Sequence, residues 1–210
     1  MEDSPATSAA IGPVAIPDYA ELRCLSNFSF LKGASWPEEL VVRAKELGYA
    51  ALAITDECSM AGMVRAHVAA KQHDMKLLVG SQFLIEPASE DEGPFTLVVL
   101  ACNLNGYGNL CQFISRLRRS SEKGTYRCTP LDIGPQTLDD CVVIACPDRH
   151  AGPAQLLVMA RWLLSRFTGR CWLGIDQPQH ADDEIRLLRL REAGALTAIP
   201  LVAVGDVTMH

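Results

Sequence analysis

The chain has 210 residues, 49% apolar and 21% charged, with a formal charge of −6. That balance suits one sizeable domain with a buried core and excludes wholesale disorder. The acidic excess offers a polyanion no global attraction, so contact with nucleic acid requires a local basic patch or a partner domain.

The opening stretch is rich in Ala, Ser and Pro, and residues 1–18 are expected to form a flexible leader ahead of one domain over 19–210. It lacks the basic start and continuous apolar middle of a secretory signal, and no apolar run in the chain reaches the roughly 18 residues that cross a bilayer. Eight cysteines without paired spacing read as thiols of a reducing compartment, which points to the cytoplasm.

Strand candidates then alternate with helices. The first strand, AELRCLS (20–26), leads into a helix with Ser35 as N-cap, Pro37 in the first turn, Glu38 three residues after the cap and Gly48 as the stop. Leu40, Val41, Ala44 and Leu47 share one face of that helix and are expected to pack on a sheet. AALAITD (50–56), a helix over 60–72, KLLVGSQFLIE (76–86), an acidic loop, and FTLVVLACN (95–103) follow. A helix over 107–119, a long irregular connection, CVVIACP (141–147), a helix over 154–167, CWLGID (171–176), a helix over 182–196 and PLVAVGD (200–206) complete the chain. Several strands are apolar on both faces, as strands covered on both sides must be. The alternation predicts parallel strands with crossover helices, and seven strands suit an α/β barrel of the TIM-like kind better than a small open sheet.

In such a barrel the chemistry sits at the carboxyl ends of the strands. Those ends carry Arg23, Leu25, Asp56, Glu57, Gln82, Asp176, Asp206 and Thr208, with no histidine among them. Clustered carboxylates suit a hard cation such as Mg²⁺ or Mn²⁺, although an aspartate in a βα loop also commonly caps the following helix. His150 could approach the same face from the fifth strand. His67 and His73 lie on or just after the second helix, His210 follows the last strand, and Cys24 and Cys58 read as buried thiols. The one basic cluster, Arg116, Arg118, Arg119, Lys123 and Arg127, either contacts a phosphate backbone or complements the carboxyl end of its helix.

The stretch from Tyr19 to Gln72, with NFSFLKGAS followed by PEEL, then LLVGSQF and the closing PLVAVGDVTMH, resembles the amino-terminal PHP (polymerase and histidinol phosphatase) domain of bacterial C-family DNA polymerases, closest to the error-prone, damage-inducible branch. The resemblance implies a distorted seven-stranded (β/α) barrel of the PHP type. It also implies that the chain is part of a longer polymerase whose palm, thumb and fingers lie beyond residue 210. Family members that hold metals begin with His-x-His at the first strand end, where this chain has Arg23 and Leu25. The family's Thr-Asp-His is here Thr55, Asp56 and Glu57; Gln82 stands for a ligand glutamate, Lys32 for a frequent aspartate, and Thr208 for the histidine of a late Asp-x-His that keeps Asp206. Positive charge at 23 and 32 would repel a divalent cation by about 4 kcal/mol per charge pair at about 4 Å and an effective dielectric near 20. The expectation is a metal-free structural and interaction module, with a basic side chain set against Asp56 and Asp206. Mg²⁺ belongs to the parent polymerase, and the remaining polymerase domains, accessory mutagenesis proteins, a sliding clamp and DNA are its partners. The alternatives are a metal-dependent phosphoesterase or proofreading exonuclease working through Asp56, Glu57, Asp206 and His150, and a nucleic-acid module using Arg116, Arg118 and Arg119.

Overall fold

The computed structural model describes residues 18–89 and 92–210; residues 1–17 of the expected leader lie outside the described residues. Seven strands run in sequence order around one sheet: β1 (Ala20–Glu21), β2 (Ala51–Ile54), β3 (Leu77–Ile85), β4 (Phe95–Ala101), β5 (Cys141–Pro147), β6 (Cys171–Ile175) and β7 (Leu201–Ala203). Five helices accompany them: α1 (Pro37–Glu46), α2 (Met63–Gln72), α3 (Leu104–Arg119), α4 (Pro153–Phe167) and α5 (Asp183–Thr197). The sheet nearly closes on itself, because the Leu25 N–H donates to the Val207 carbonyl at 2.8 Å and the Val207 N–H to the Arg23 carbonyl at 3.0 Å. The first strand is shorter than its sequence suggests, and Cys24 contributes only an isolated parallel bridge to Val207.

The expectation of an all-parallel sheet is corrected at β4, which pairs antiparallel with both β3 and β5. The acidic loop between Ile85 and Phe95 is too short for a helical crossover, so the chain turns straight back. β4 therefore presents its amino end to the barrel mouth, where Thr96 lies opposite Leu84 and Cys146.

Strand alternation sorts the apolar residues into layers. From β4, Val98 and Leu100 point into the barrel with Ala53, Ile144, Cys146 and Val204. Phe95, Leu97 and Val99 point outward under α3 and α4. On the far side Leu52 and Ile54 meet Leu40, Val41 and Ala44 of α1. The cap of α1 is displaced by one residue from the expected position: Trp36 is the N-cap, and Glu39, not Glu38, accepts the Trp36 N–H at 2.7 Å. Ser35 instead bonds His210, and Leu47 is half exposed because it lies past the buried face. Gly48, at φ +72°, ends the helix in the left-handed conformation that glycine adopts freely.

Gly106, near the start of α3, shows how tightly the helix layer sits. A Cβ there would lie 2.1 Å from the Asp140 carbonyl oxygen. Helix propensity favours alanine over glycine by about 1 kcal/mol, but overpacking against backbone costs about 1–3 kcal/mol. Gly106→Ala is therefore expected to lower the thermal midpoint by about 2–4 °C per kcal/mol lost; an unchanged or higher midpoint would contradict this packing.

Candidate functional site at the barrel mouth

A recess of about 350 Å³ opens at the mouth and is lined by Arg23, Leu25, Lys32, Glu57, Gln82, Leu84, Thr96, Asp206 and Thr208. Of the residues set against the family's metal site, Arg23, Leu25, Lys32, Glu57, Gln82, Asp206 and Thr208 come together here, and Asp56 lies outside the lining.

Arg23 enters from the segment after β1, its side chain 12% exposed. Its Nε lies 3.1 Å from Asp206 Oδ1 and 3.2 Å from Gln82 Oε1, so one donor is shared between the segment after β7 and the middle of β3. Asp206 stands at φ +52°, a conformation that aspartate tolerates better than most residues. Burial holds its carboxyl above its ordinary value; Arg23 opposes that shift and Asp176 adds to it. Beneath, burial pushes the Cys146 thiol up to about 12, against the pull of Arg23, which keeps it protonated at neutral pH. Burial likewise raises the Cys24 thiol and pushes Cys58 up to about 11.

The second pair is Lys32 with Glu57. Glu57 Oε1 also accepts the Tyr126 hydroxyl at 2.8 Å. Arg118 braces the same turn: its Nη2 and Nε donate to the Glu57 and Cys58 carbonyls, each at 3.2 Å, and its guanidinium lies 5.4 Å from the Tyr126 ring centroid. Each cationic side chain of the recess thus faces a carboxylate.

Asp56 corrects the expectation that a basic side chain would stand against it. It is buried, and its Oδ1 accepts the Ser26 N–H at 2.8 Å and the Ser29 hydroxyl at 2.7 Å, while Oδ2 accepts the Ser26 hydroxyl at 2.7 Å. This carboxylate faces the loop after β1, where it ties two chain segments together. Asp176 pairs with Arg186 of α5 and lies outside the recess. His150 is exposed, and its N–H donates to Asp148 Oδ1 at 2.8 Å, away from the mouth.

Among the described residues, no three His, Cys, Asp or Glu side chains gather at a spacing that holds a metal ion. The recess itself offers two carboxylates, each facing a cation. That donor set does not fit the several convergent oxygen or imidazole ligands of a divalent site.

The basic cluster does not form one face. Arg118 turns inward as described, Arg127 pairs with Glu86 at 3.0 Å, and Arg116 and Arg119 remain exposed on α3. Sequence reasoning missed Ser26, Ser29, Thr96 and Tyr126. Tyr126 reaches Glu57 across 69 positions from a connection with no regular pattern, so no local signal marked it. The two serines flank the expected site, and only their spacing around Asn27 and Phe28 hinted at a turn.

The PHP domain family profile matches residues 21–158. The chain belongs to the PHP domain family. It is 48% identical over 201 residues to an error-prone DNA polymerase from Dechloromonas aromatica, a match that covers 94% of this chain and 19% of that protein. It is 49% identical over 192 residues to an error-prone DNA polymerase from Pseudomonas aeruginosa, covering 91% of this chain and 18% of the relative. The chain thus spans about a fifth of the length of these relatives. The PHP barrel also matches an amidohydrolase from Chromobacterium violaceum, solved with bound sulfate and no metal, with a TM-score of 0.67 at 13% identity over 90% of this chain and 87% of that one. At that identity the likeness establishes the fold alone. No helix among the described residues is long and apolar enough to cross a membrane.

The two aspartates are expected to separate on substitution. Asp56→Ala strands a buried N–H and two hydroxyls and is expected to cost at least about 2 kcal/mol. Asp206→Ala, at a carboxylate 39% exposed, is expected to cost under about 1 kcal/mol. Urea unfolding of both variants checks the order, and equal losses would refute the different roles. Because the folded state raises the Asp206 pKa, its contribution is present below the unfolded value of about 3.9 and is lost as pH rises through the folded one. Asp206→Asn is therefore expected to gain stability relative to the parent chain as pH rises from about 4 to neutral. A constant difference across that range would contradict the raised pKa.

Proposed function

We propose that this PHP domain serves an error-prone DNA polymerase of the damage-inducible, translesion class as a metal-free structural and interaction module. The similarity to two error-prone DNA polymerases over nearly the whole chain supports the parent activity. The occupied recess supports the domain's own role: the Arg23 guanidinium spans Asp206 and Gln82, and Lys32 stands against Glu57, where a cation site would need unopposed ligands. On this reading nucleotidyl transfer and its Mg²⁺ belong to the rest of the polymerase, in the cytoplasm. The neighbouring polymerase domains, accessory mutagenesis proteins and a sliding clamp are the partners this barrel helps to position.

The internal pairing that carries this reading is also what a metal would have to break. A divalent ion entering the recess must displace two cations from their carboxylates and gains at most two carboxylate ligands in return. A phosphoesterase or exonuclease role would need those ligands free to polarise a phosphate and activate water.

The test is metal content and hydrolysis together. Dialysed against Mn²⁺ or Zn²⁺ and then desalted, the purified chain is expected to retain substoichiometric metal by mass spectrometry and to leave a phosphodiester substrate intact. Stoichiometric metal with hydrolysis, both lost in Asp206→Ala, would overturn the proposal in favour of a working phosphoesterase.

A further inference from the structure

A concave surface lies along α3, lined by residues other than those of the barrel mouth. One recess of about 680 Å³ runs between Asn109, Gln112 and Arg116 of α3 and the segment from Gly134 to Leu138. A second, of about 560 Å³, continues from Gln112 and Arg116 past Ser115 to Arg119 and Ser120. The two share Gln112 and Arg116 and form one groove. From residue 109 to 119 it follows about 15 Å of helix at 1.5 Å per residue.

Its chemistry departs from that of the whole molecule. In a chain of net charge −6, no carboxylate residue lines either recess, while two arginines and several amides and hydroxyls do. Two neighbouring acids are engaged elsewhere. Asp132 Oδ2 accepts the Thr129 N–H and hydroxyl, both at 2.8 Å, and Asp139 Oδ1 faces Arg170 at 3.4 Å. What these two residues turn to the groove is their carbonyls: Asp139's accepts Asn109 Nδ2 at 2.8 Å, and Asp132's accepts Arg116 Nη2. Arg116 also lies 5.3 Å from the Phe113 ring centroid, so its guanidinium is held before any ligand arrives. Arg119 stands three residues on, one neighbouring position along the helix surface. Complementing the helix carboxyl end explains cations at 116 and 119; it does not explain a facing wall of Gln136 and Thr137 free of acids.

We propose that this groove binds the sugar-phosphate backbone of a single nucleic-acid strand, with Arg116 and Arg119 neutralising two phosphates and the amides of Asn109, Gln112 and Gln136 bonding non-bridging oxygens. Contacts of this kind position a strand without reading its sequence. The choice of a nucleic acid over other polyanions rests on the polymerase reading above, whereas the groove's preference for anions does not.

An NMR titration of the chain with oligothymidylate in EDTA tests it independently of any metal. The side-chain amides of Asn109, Gln112 and Gln136 are expected to shift. Two phosphates on a single strand give a slope of about −1.4 in log K against log salt, or about a sevenfold loss of affinity between about 50 and about 200 mM salt. Arg116→Ala with Arg119→Ala is expected to abolish the shifts. Gln112→Glu, which places a carboxylate in the groove at an exposed position, is expected to do the same in a fully folded chain, while Arg127→Ala leaves them unchanged. Shifts confined to other surfaces, or insensitive to both groove variants, would overturn the site. Polyglutamate matching the oligonucleotide in affinity and slope would overturn the nucleic-acid assignment and leave the polymerase reading standing.

Discussion

The barrel closes through a seam of two ladder hydrogen bonds joining Arg23 and Leu25 to Val207, and Arg23 spans it. Its carbonyl accepts one of the two bonds, and its side chain reaches across to Asp206, one residue before Val207. So few ladder bonds specify the joining of a sheet's first and last strands weakly, because each long-range closure must offset a large entropy loss. The guanidinium adds a charge-assisted contact where the ladder is thinnest and extends it to Gln82 in β3. Arginine suits this work because its planar group stays charged and carries several donors, where a lysine would offer a single mobile point charge.

The rest of the mouth follows from that placement. With Arg23 across the opening, Asp206 is committed to it and is not available to the loop after β1. That loop is anchored instead by Asp56, through Ser26 and Ser29, and its Lys32 closes onto Glu57. Tyr126 and Arg118 then secure Glu57 from the helix side. The order of these contacts carries the polar network from the barrel interior to its outer layer without leaving a charge alone, which is the condition under which buried charges are tolerated.

Much of this fold was legible in the sequence, and the failures have physical causes. Strands such as 141–147 declare themselves because both faces are apolar, and the Gly48 stop is a local signal. The reversal at β4 is hidden by the regular alternation of strands and helices elsewhere, because strand direction is set by the short length of the acidic connection before it. The α1 cap slipped by one residue because Ser35 and Trp36 are both followed three positions later by a glutamate, and only the bond from Ser35 to His210 separates them. At the site, the residue types at the strand ends, together with Lys32 from the family resemblance, identified the lining of the recess apart from Leu84 and Thr96. They did not reveal that Asp56 faces away, because a carboxylate's orientation is decided by the donors around it, here two serines whose role depends on a loop conformation that no periodicity encodes.

The same distinction separates the two surfaces of the domain. At the mouth Arg23 and Lys32 stand against Asp206 and Glu57, so the opposite charges there largely offset one another. Beside α3 the Asp132 and Asp139 carboxylates are answered by other partners, no carboxylate lines the two recesses, and Arg119 has no charged partner among the described residues, which favours a local positive potential on a molecule that is acidic as a whole. Net charge governs long-range approach, but within a Debye length of about 8–10 Å the local arrangement governs contact. A domain whose mouth is internally paired can still present chemistry elsewhere, and on α3 Arg116 is held by a backbone carbonyl and a ring, with no carboxylate set against it.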